Sequence, residues 1–385
     1  MSGVTSRADL GVYVHVPFCE HVCPYCDFAV VGVGRLAERD EDAWLAGVLA
    51  EWARWREEVA GRALASVYFG GGTPSLARAK SLGRVLETLA ADCALAGAEV
   101  TVELNPGQLE VARVPELRAA GVTRLSVGVQ SLDARVLRRL GRAQSADEAL
   151  RGLEVCLAAG FESLSADLIY GAPGQDVETL LGDAERLIAL GVPHVSAYAL
   201  TLEPETPFAR AAAAGKLELP DEDTVVEMSA RLRAALGAAG LARYEISSWA
   251  RPGHRSRHNQ RYWTRSDVLG LGPSAATLLG DRRLKNARAL ANWREALGRG
   301  ESPAVEDERL SLADARREAL YLGLRRIEGV SRAEYLRRYG EPPEASLGPE
   351  LAGLRRRGLL LDDSGAIRLS EAGLLFADDV FEALV

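Results

Sequence analysis

Between residues 12 and 200, short β-branched runs alternate six times with long amphipathic segments. That repetition restricts the chain to parallel strands joined by right-handed crossover helices. The pattern predicts strands over 12–17, 66–69, 99–104, 124–129, 163–169 and 194–200. Helices are expected over 43–58, 77–95, 115–120, 146–159 and 177–190, where apolar residues recur at three- and four-residue spacing. Gly121, Gly160 and Gly191 follow three of these as C-caps. The repeat can stay open and doubly wound or close into a full or partial barrel. Nearly every strand ends in a polar or glycine-rich signature, at 70–74, 103–106, 130–131, 167–174 and 201–204. Barrels build their sites from strand ends all around the ring, whereas open sheets use one switch point. The expectation is an α/β fold, a partial (β/α)6 TIM-type barrel.

Beyond about residue 205 the alternation weakens into a helix over 221–239, a strand over 244–247 and a polar, aromatic stretch. From about residue 306 the chain is rich in Arg, Glu and Leu. Helices are predicted there over 312–326, 332–339 and 350–357, then a hairpin pairing 359–362 with 367–369 through a turn at 363–365, and a last helix over 371–384. This order resembles a winged helix. The expected division is a core over 1–205, a barrel-completing segment over 206–305 and a smaller winged-helix-like α+β domain over 306–385.

A net charge of −8 advertises no basic surface to nucleic acid. No apolar run reaches the roughly 18 residues of a membrane span, and the first residues lack the basic-then-apolar order of a signal peptide. A cytoplasmic protein with no transmembrane segment and no nucleic-acid partner is expected.

Three of the five cysteines, Cys19, Cys23 and Cys26, fall within eight residues directly after the first strand. An odd, clustered set is a poor disulfide framework. Cys93 and Cys156 lie alone in helical patterns and read as small buried hydrophobes. The C-x3-C-x2-C spacing supplies three soft ligands from one loop. A [4Fe–4S] cluster so held keeps one iron open to a chelating small molecule. The alternative is zinc, with His15 or His21 as fourth ligand, but structural zinc uses two separated ligand pairs and no second pair is present.

Other candidates sit at successive strand ends. Gly70-Gly71-Gly72-Thr73-Pro74 ends the second strand, where glycines allow close approach and amides can bind a carboxylate. Taken alone, such a triplet is also a simple tight turn. Glu103, with Asn105 and Pro106, ends the third strand; Gln130 ends the fourth, Arg142 follows it, and Asp167 ends the fifth. Arg142 reads alternatively as a surface charge paired with Asp147 or Glu148.

The cysteine loop with Tyr13 and Phe28, these strand ends and the segment His258-Asn259-Gln260-Arg261-Tyr262-Trp263 are similar to the oxygen-independent coproporphyrinogen III oxidase-like radical-SAM proteins. The resemblance is strongest to their heme-chaperone branch and covers nearly the whole chain. It implies that S-adenosylmethionine chelates the open iron and is contacted by Tyr13, Tyr25, Gly71, Gly72, Thr73, Glu103, Gln130, Arg142, Asp167 and Ala199. Heme as cargo, a recipient hemoprotein and an electron donor such as a flavodoxin or ferredoxin are implied as well. The alternative within the family is an oxidase that decarboxylates coproporphyrinogen III.

Three features favour the chaperone branch. Oxidases resemble C-x3-C-x2-C-x-C, and Phe28 stands at the position of the additional cysteine. They carry a substantial N-terminal arm, whereas 18 residues precede Cys19 here. Residues 258–263 match the chaperones' H-N-x-x-Y-W. Imidazole is a common axial heme ligand, so His258 is the first candidate for a heme contact, the alternative being a hydrogen-bonded loop histidine. Tyr262 and Trp263 would pack on a porphyrin face, or equally cap the barrel as core aromatics. Relatives often read G-P-S-A-H-S where this chain has Gly272-Pro273-Ser274-Ala275-Ala276-Thr277, so a heme role for that histidine is lost at Ala276.

Overall fold

Six strands form the parallel wall: β1 (Leu10–Val16), β2 (Leu64–Gly71), β3 (Glu99–Leu104), β4 (Arg124–Gln130), β5 (Ser163–Tyr170) and β6 (His194–Ala199). The computed structural model describes residues 9–362 and 365–385. β1 to β6 are neighbours in chain order, all parallel, with no reversal of direction along the sheet. An open doubly wound sheet would reverse its order at a switch point. The wall is therefore that of a barrel, and each strand lies within a few residues of its predicted range.

Two later segments extend the wall. β7 (Ala242–Glu245) and β8 (Ser248–Ala250) join beside β6, antiparallel. On the other side β9 (Val268–Leu271) lies parallel to β1 and leads into an antiparallel meander of β10 (Ala276–Leu279), β11 (Arg282–Asn286) and β12 (Ala304–Arg309). The sheet ends at β12 on one side and β7 on the other, so the barrel is partial. The meander is absent from the sequence expectation because β12, reading AVEDER, is a charged and largely exposed edge strand. Its charges pair with β11 through Arg282–Asp307 at 2.7 Å and Arg283–Glu308 at 3.5 Å, and charged edges resist further strand addition.

Along each parallel strand the side chains alternate in character. Val12, Val14, Val67, Phe69, Val102 and Val127 face outward into one hydrophobic core shared with the helices. Tyr13, Tyr68, Glu103, Ser126 and Asp167 face the opposite way, into the barrel, where they bond or stack across strands. Parallel strands covered on both sides usually read as unbroken apolar runs. Here the concave side is a polar chamber instead.

The first helix, Glu38–Val59, buries Trp44, Val48 and Trp52 at four-residue spacing against the wall. From the same helix the Glu51 carboxylate accepts from Gly272 N at 2.8 Å, Asn286 Nδ2 at 2.6 Å and Trp293 Nε1 at 2.9 Å. This clamp fixes the end of β9 and its meander against the first helix. Elsewhere Ser145 and Glu148 form a capping box that starts Ala146–Ala158. The short helix Ala134–Arg139, started by Asp133, carries too few turns to show a period.

After Arg309 the chain runs helix Leu312–Gly323, strand Val330–Ser331, helices Arg332–Tyr339 and Pro343–Arg356, then strands Leu360–Asp362 and Ala366–Leu369. The three strands form an antiparallel sheet with the last one central, the order of a winged helix. Leu320, Tyr335, Leu347, Leu351 and Ile367 make a second hydrophobic cluster. Residues 363 and 364 of the predicted turn lie outside the described residues. The expected last helix breaks at Phe376 into Glu371–Leu375 and Ala377–Glu382. Arg265 and Glu318, 2.7 Å apart and both buried, join this unit to the barrel, as does Arg325, whose guanidinium sits 4.6 Å from the Trp263 ring.

Truncating Trp293 to alanine empties a fully buried site and leaves one Glu51 bond unmade. Trp293→Ala is expected to cost about 3–5 kcal/mol of stability in urea unfolding.

Candidate metal and nucleotide site

The cysteine loop leaves β1 at the C-terminal end of the wall and is tied back by its own backbone. Val31 N donates to Pro17 O at 2.7 Å, Val33 N to Cys19 O at 2.9 Å and Cys26 N to Cys23 O at 3.1 Å. His15, buried in β1, completes the anchor. Its Nε2 donates to Ala29 O at 2.9 Å, which fixes the tautomer, so Nδ1 accepts from the Tyr13 hydroxyl at 3.1 Å. His15 is thus a support of the loop, with no nitrogen left for a metal.

Cys19, Cys23 and Cys26 are free thiols, half-buried, and all three face one cavity of about 440 Å³. Thr73 Oγ1 points at Cys19 Sγ from 3.8 Å and Arg142 Nη1 at Cys23 Sγ from 3.7 Å. Hydroxyl and guanidinium donors at these sulfurs suit thiolate ligands. Burial pushes the Cys19 thiol up to about 11 and raises Cys26 as well, so metal ligation must displace protons. Among the described residues no three His, Cys, Asp or Glu side chains gather to hold a single metal ion. Three thiols on one cavity, with polar donors at two of the sulfurs, fit a cluster held by three cysteines.

The same cavity is lined by Tyr25, Gly71, Gly72, Thr73 and Glu103, and by Gln130, Arg142, Asp167 and Ala199. Tyr13 lies below them, its ring 6.2 Å from that of Tyr68 and nearly parallel to it. Tyr25 packs on Phe208, whose backbone N–H bonds Pro24 O at 3.0 Å. Gln130 adopts a left-handed backbone with φ 67° where the β4–β5 register slips. Such bulges re-aim side chains beside sites. Arg142 turns inward to Gly128 O at 2.8 Å and to Asn105 Oδ1. The alternative of a purely surface charge does not describe this side chain.

Two carboxylates stand beneath the mouth. Glu103 accepts from the Tyr68 hydroxyl at 2.8 Å and from Gly71 N at 3.1 Å. Burial nevertheless pushes its carboxyl up to about 7, the two bonds opposing that rise. Asp167 accepts from Ser126 Oγ and Ser165 Oγ, each at 2.9 Å, and burial raises it too.

The glycine turn works differently from its sequence reading. Gly71 N is on Glu103, Gly72 N bonds Val16 O at 2.8 Å and Thr73 N bonds Phe18 O at 2.7 Å. These amides are engaged, so the turn has no free donors for a carboxylate and offers a ligand its carbonyl oxygens. A Cβ on Gly72 would meet Phe18 O at 2.5 Å, and one on Gly71, with φ +108°, would meet the His15 ring at 2.4 Å.

The three residues expected to contact heme sit elsewhere. His258, on helix Arg257–Trp263, is buried at the N-terminal end of the barrel. Its Nδ1 pairs with Ser66 Oγ at 2.8 Å and its Nε2 with the Tyr262 hydroxyl at 3.0 Å. Burial first, then Arg261 and Arg124, lowers this imidazole to about 3. Both nitrogens are engaged, so His258 offers none to iron. Trp263 bonds Glu245 and stacks under Arg325. The segment stops the lower end of the barrel and seats the C-terminal unit. Ala276 is exposed at the start of β10 and does not line the cavity.

Tyr68, Ser126 and Ser165 support the site without having been assigned to it from the sequence. The signal was present in the period-two alternation of VTVEL, SVYF, RLSVGVQ and SLSADL, which puts their polar members on one face.

Heme chaperone HemW from Escherichia coli (strain K12) is 33% identical over 97% of this chain and 97% of its own length. Heme chaperone HemW from Mycobacterium tuberculosis (strain H37Rv) is 35% identical over 97% of this chain and 94% of its own. The chain belongs to the HemW family. The radical SAM superfamily model matches residues 13–187 and the HemN C-terminal domain model residues 310–376. The solved structure of coproporphyrinogen III oxidase (HemN) from Escherichia coli, a radical SAM enzyme, shares the fold with a TM-score of 0.84. It covers 98% of this chain and 90% of that one at 24% identity. Membership of the radical SAM superfamily implies a [4Fe–4S] cluster and S-adenosylmethionine.

Gly72→Ala forces a methyl group onto the Phe18 carbonyl. It is expected to cost about 1–3 kcal/mol in thermal or urea unfolding and to lower iron retention after anaerobic reconstitution, whereas Gly97→Ala, on an open turn, is expected to leave iron content unchanged.

Proposed function

We propose that this chain is a radical-SAM heme chaperone in which Cys19, Cys23 and Cys26 hold a [4Fe–4S] cluster and the chamber beside it takes S-adenosylmethionine. Heme is then its cargo, passed to a recipient hemoprotein, and a flavodoxin or ferredoxin is the class of electron donor that suits the cluster. The observation that carries this reading is that the three thiols and nine of the ten residues expected around S-adenosylmethionine line one cavity. No helix among the described residues is long and apolar enough to cross a membrane.

When bound, the cluster would supply an electron to the sulfonium centre. The chain's own residues bind and orient. Thr73 and Arg142 place donors at two of the thiolates, and charge-assisted bonds of this kind stabilise anionic sulfur. The engaged glycine amides leave carbonyl acceptors for an ammonium group. Glu103 and Asp167 supply negative charge under a nucleotide whose sulfonium is cationic, and the walls of the chamber limit the access of water. Phe28 in place of a further cysteine and the likeness to heme chaperones over nearly the whole chain together favour carriage of heme over decarboxylation.

Substituting any one of Cys19, Cys23 or Cys26 by serine is expected to abolish the brown absorbance near about 400 nm that marks such clusters, with iron and sulfide falling together. Full cluster content in a serine variant would contradict the ligand set. Hemin titration should move the Soret band, and an anaerobic assay with coproporphyrinogen III should give no decarboxylation; substantial turnover would defeat the chaperone reading.

Glu103 gives a pH dependence with a definite sign. Its folded pKa, about 7, lies above the ordinary carboxylate value. Its contribution to folding is thus fully present below pH about 4.5 and lost as pH rises through 7. A cationic ligand prefers the ionised form, so affinity for S-adenosylmethionine should increase roughly tenfold between pH 6 and 8 as that form replaces the neutral one. Calorimetry on reconstituted protein checks this, and Glu103→Gln should flatten the profile.

A further inference from the structure

We infer that His21 is the imidazole that binds heme iron, at the mouth of the chamber, with the porphyrin lying on the apolar side chains of Val22 and Phe28. The inference rests on the heme-carrying reading above and names the site that reading lacks once His258 is found sealed in the barrel.

An account of all five histidines leads there. His15 has both nitrogens engaged by Tyr13 and Ala29. His194, fully buried, is held by Ser165 Oγ and the Tyr244 hydroxyl, each at 2.8 Å. His258 is held by Ser66 and Tyr262. His254 bonds Ser163 Oγ at 3.1 Å, at the start of β5 and so at the far end of the wall. An imidazole must present a bare nitrogen to ligate iron. His21 is exposed, lines the main cavity and also the adjoining cleft of about 250 Å³, and has no side-chain hydrogen-bond partner among the described residues.

The surroundings fit a flat apolar ligand with acidic arms. Val22 is 49% exposed, Phe28 66% and Val31 41%, and Phe28 and Val22 line the same cavity as His21. Large apolar side chains left together in water at a cavity mouth mark a contact surface. At the same rim Arg288 reaches Asp27 O and, at 3.0 Å, Asp27 Oδ1, beside Phe28, with its side chain 60% exposed. That cation is placed to meet a carboxylate arm of the porphyrin. Phe28 thereby acquires a role as a face for the macrocycle. His21 lies between Cys19 and Cys23 in the chain, so iron of the heme and iron of the cluster would be held by one loop.

The test uses the full chain, reconstituted without air, titrated with hemin and followed by the Soret band and by electron paramagnetic resonance. Wild type should show an imidazole-ligated spectrum. His21→Gly should lose that signature while keeping its iron–sulfide content, and free imidazole added to the variant should restore it. Phe28→Ser should weaken hemin binding without changing the axial ligand signature. A wild-type spectrum in His21→Gly overturns the inference, as does loss that free imidazole fails to reverse. If wild type itself gives no Soret shift, the heme-carrying reading falls and this inference with it, an outcome distinct from failure of His21 alone.

Discussion

Polar side chains buried on the concave face of a parallel wall are the constraint on which this molecule is organised. Removing a polar or charged group from water is costly unless partners replace the solvent. The chain answers with cross-strand bonds: Tyr68 to Glu103, Ser126 and Ser165 to Asp167, Ser165 to His194, Ser66 to His258. All but the Ser165–Asp167 bond, which lies within β5, join neighbouring strands or the plugging helix, so the network also sets register. The apolar faces, left free by the alternation, bind the helices. On the six parallel strands, Arg124 Nε and Thr101 Oγ1 are buried side-chain atoms that the network does not reach.

Electrostatics in the chamber is a contest between burial and bonding, and burial prevails at both carboxylates. Two hydrogen bonds do not return Glu103 to its ordinary range, and two hydroxyls do not do so for Asp167. A chamber with two reluctant anions is ready for a cation, because each positive charge brought in relieves both. Arg124, buried on β4 and lining the cavity, already supplies part of that relief from below. The cysteine side of the cavity has the opposite need: thiolates and a cluster are anionic, and there Arg142 stands at Cys23.

Much of the wall was legible in the sequence because strand–helix alternation has a strong period and glycine stops. The strand ends carrying Glu103, Gln130 and Asp167 were legible for the same reason. What escaped was the direction of side chains relative to the ligand. The H-N-x-x-Y-W match could not tell that Ser256 caps a helix which turns His258 into the barrel, where Ser66 and Tyr262 take both its nitrogens. The glycine turn could not reveal that Val16, Phe18 and Glu103 consume its amides. The meander of β10 to β12 escaped because its edge is charged for solvent and shows no apolar alternation. The last helix was read through Phe376, whose half-exposed ring gives no warning of the break.

The helix Arg257–Trp263 makes the two ends of the barrel unequal. With the lower end stoppered by His258 and Tyr262, traffic is left to the cysteine-bearing rim, as in a well rather than a tunnel. A well imposes a sequence on its tenants: the deep one must arrive first and leave last. Whatever rests on the rim therefore also serves as a cover, retaining what lies below and controlling when solvent returns.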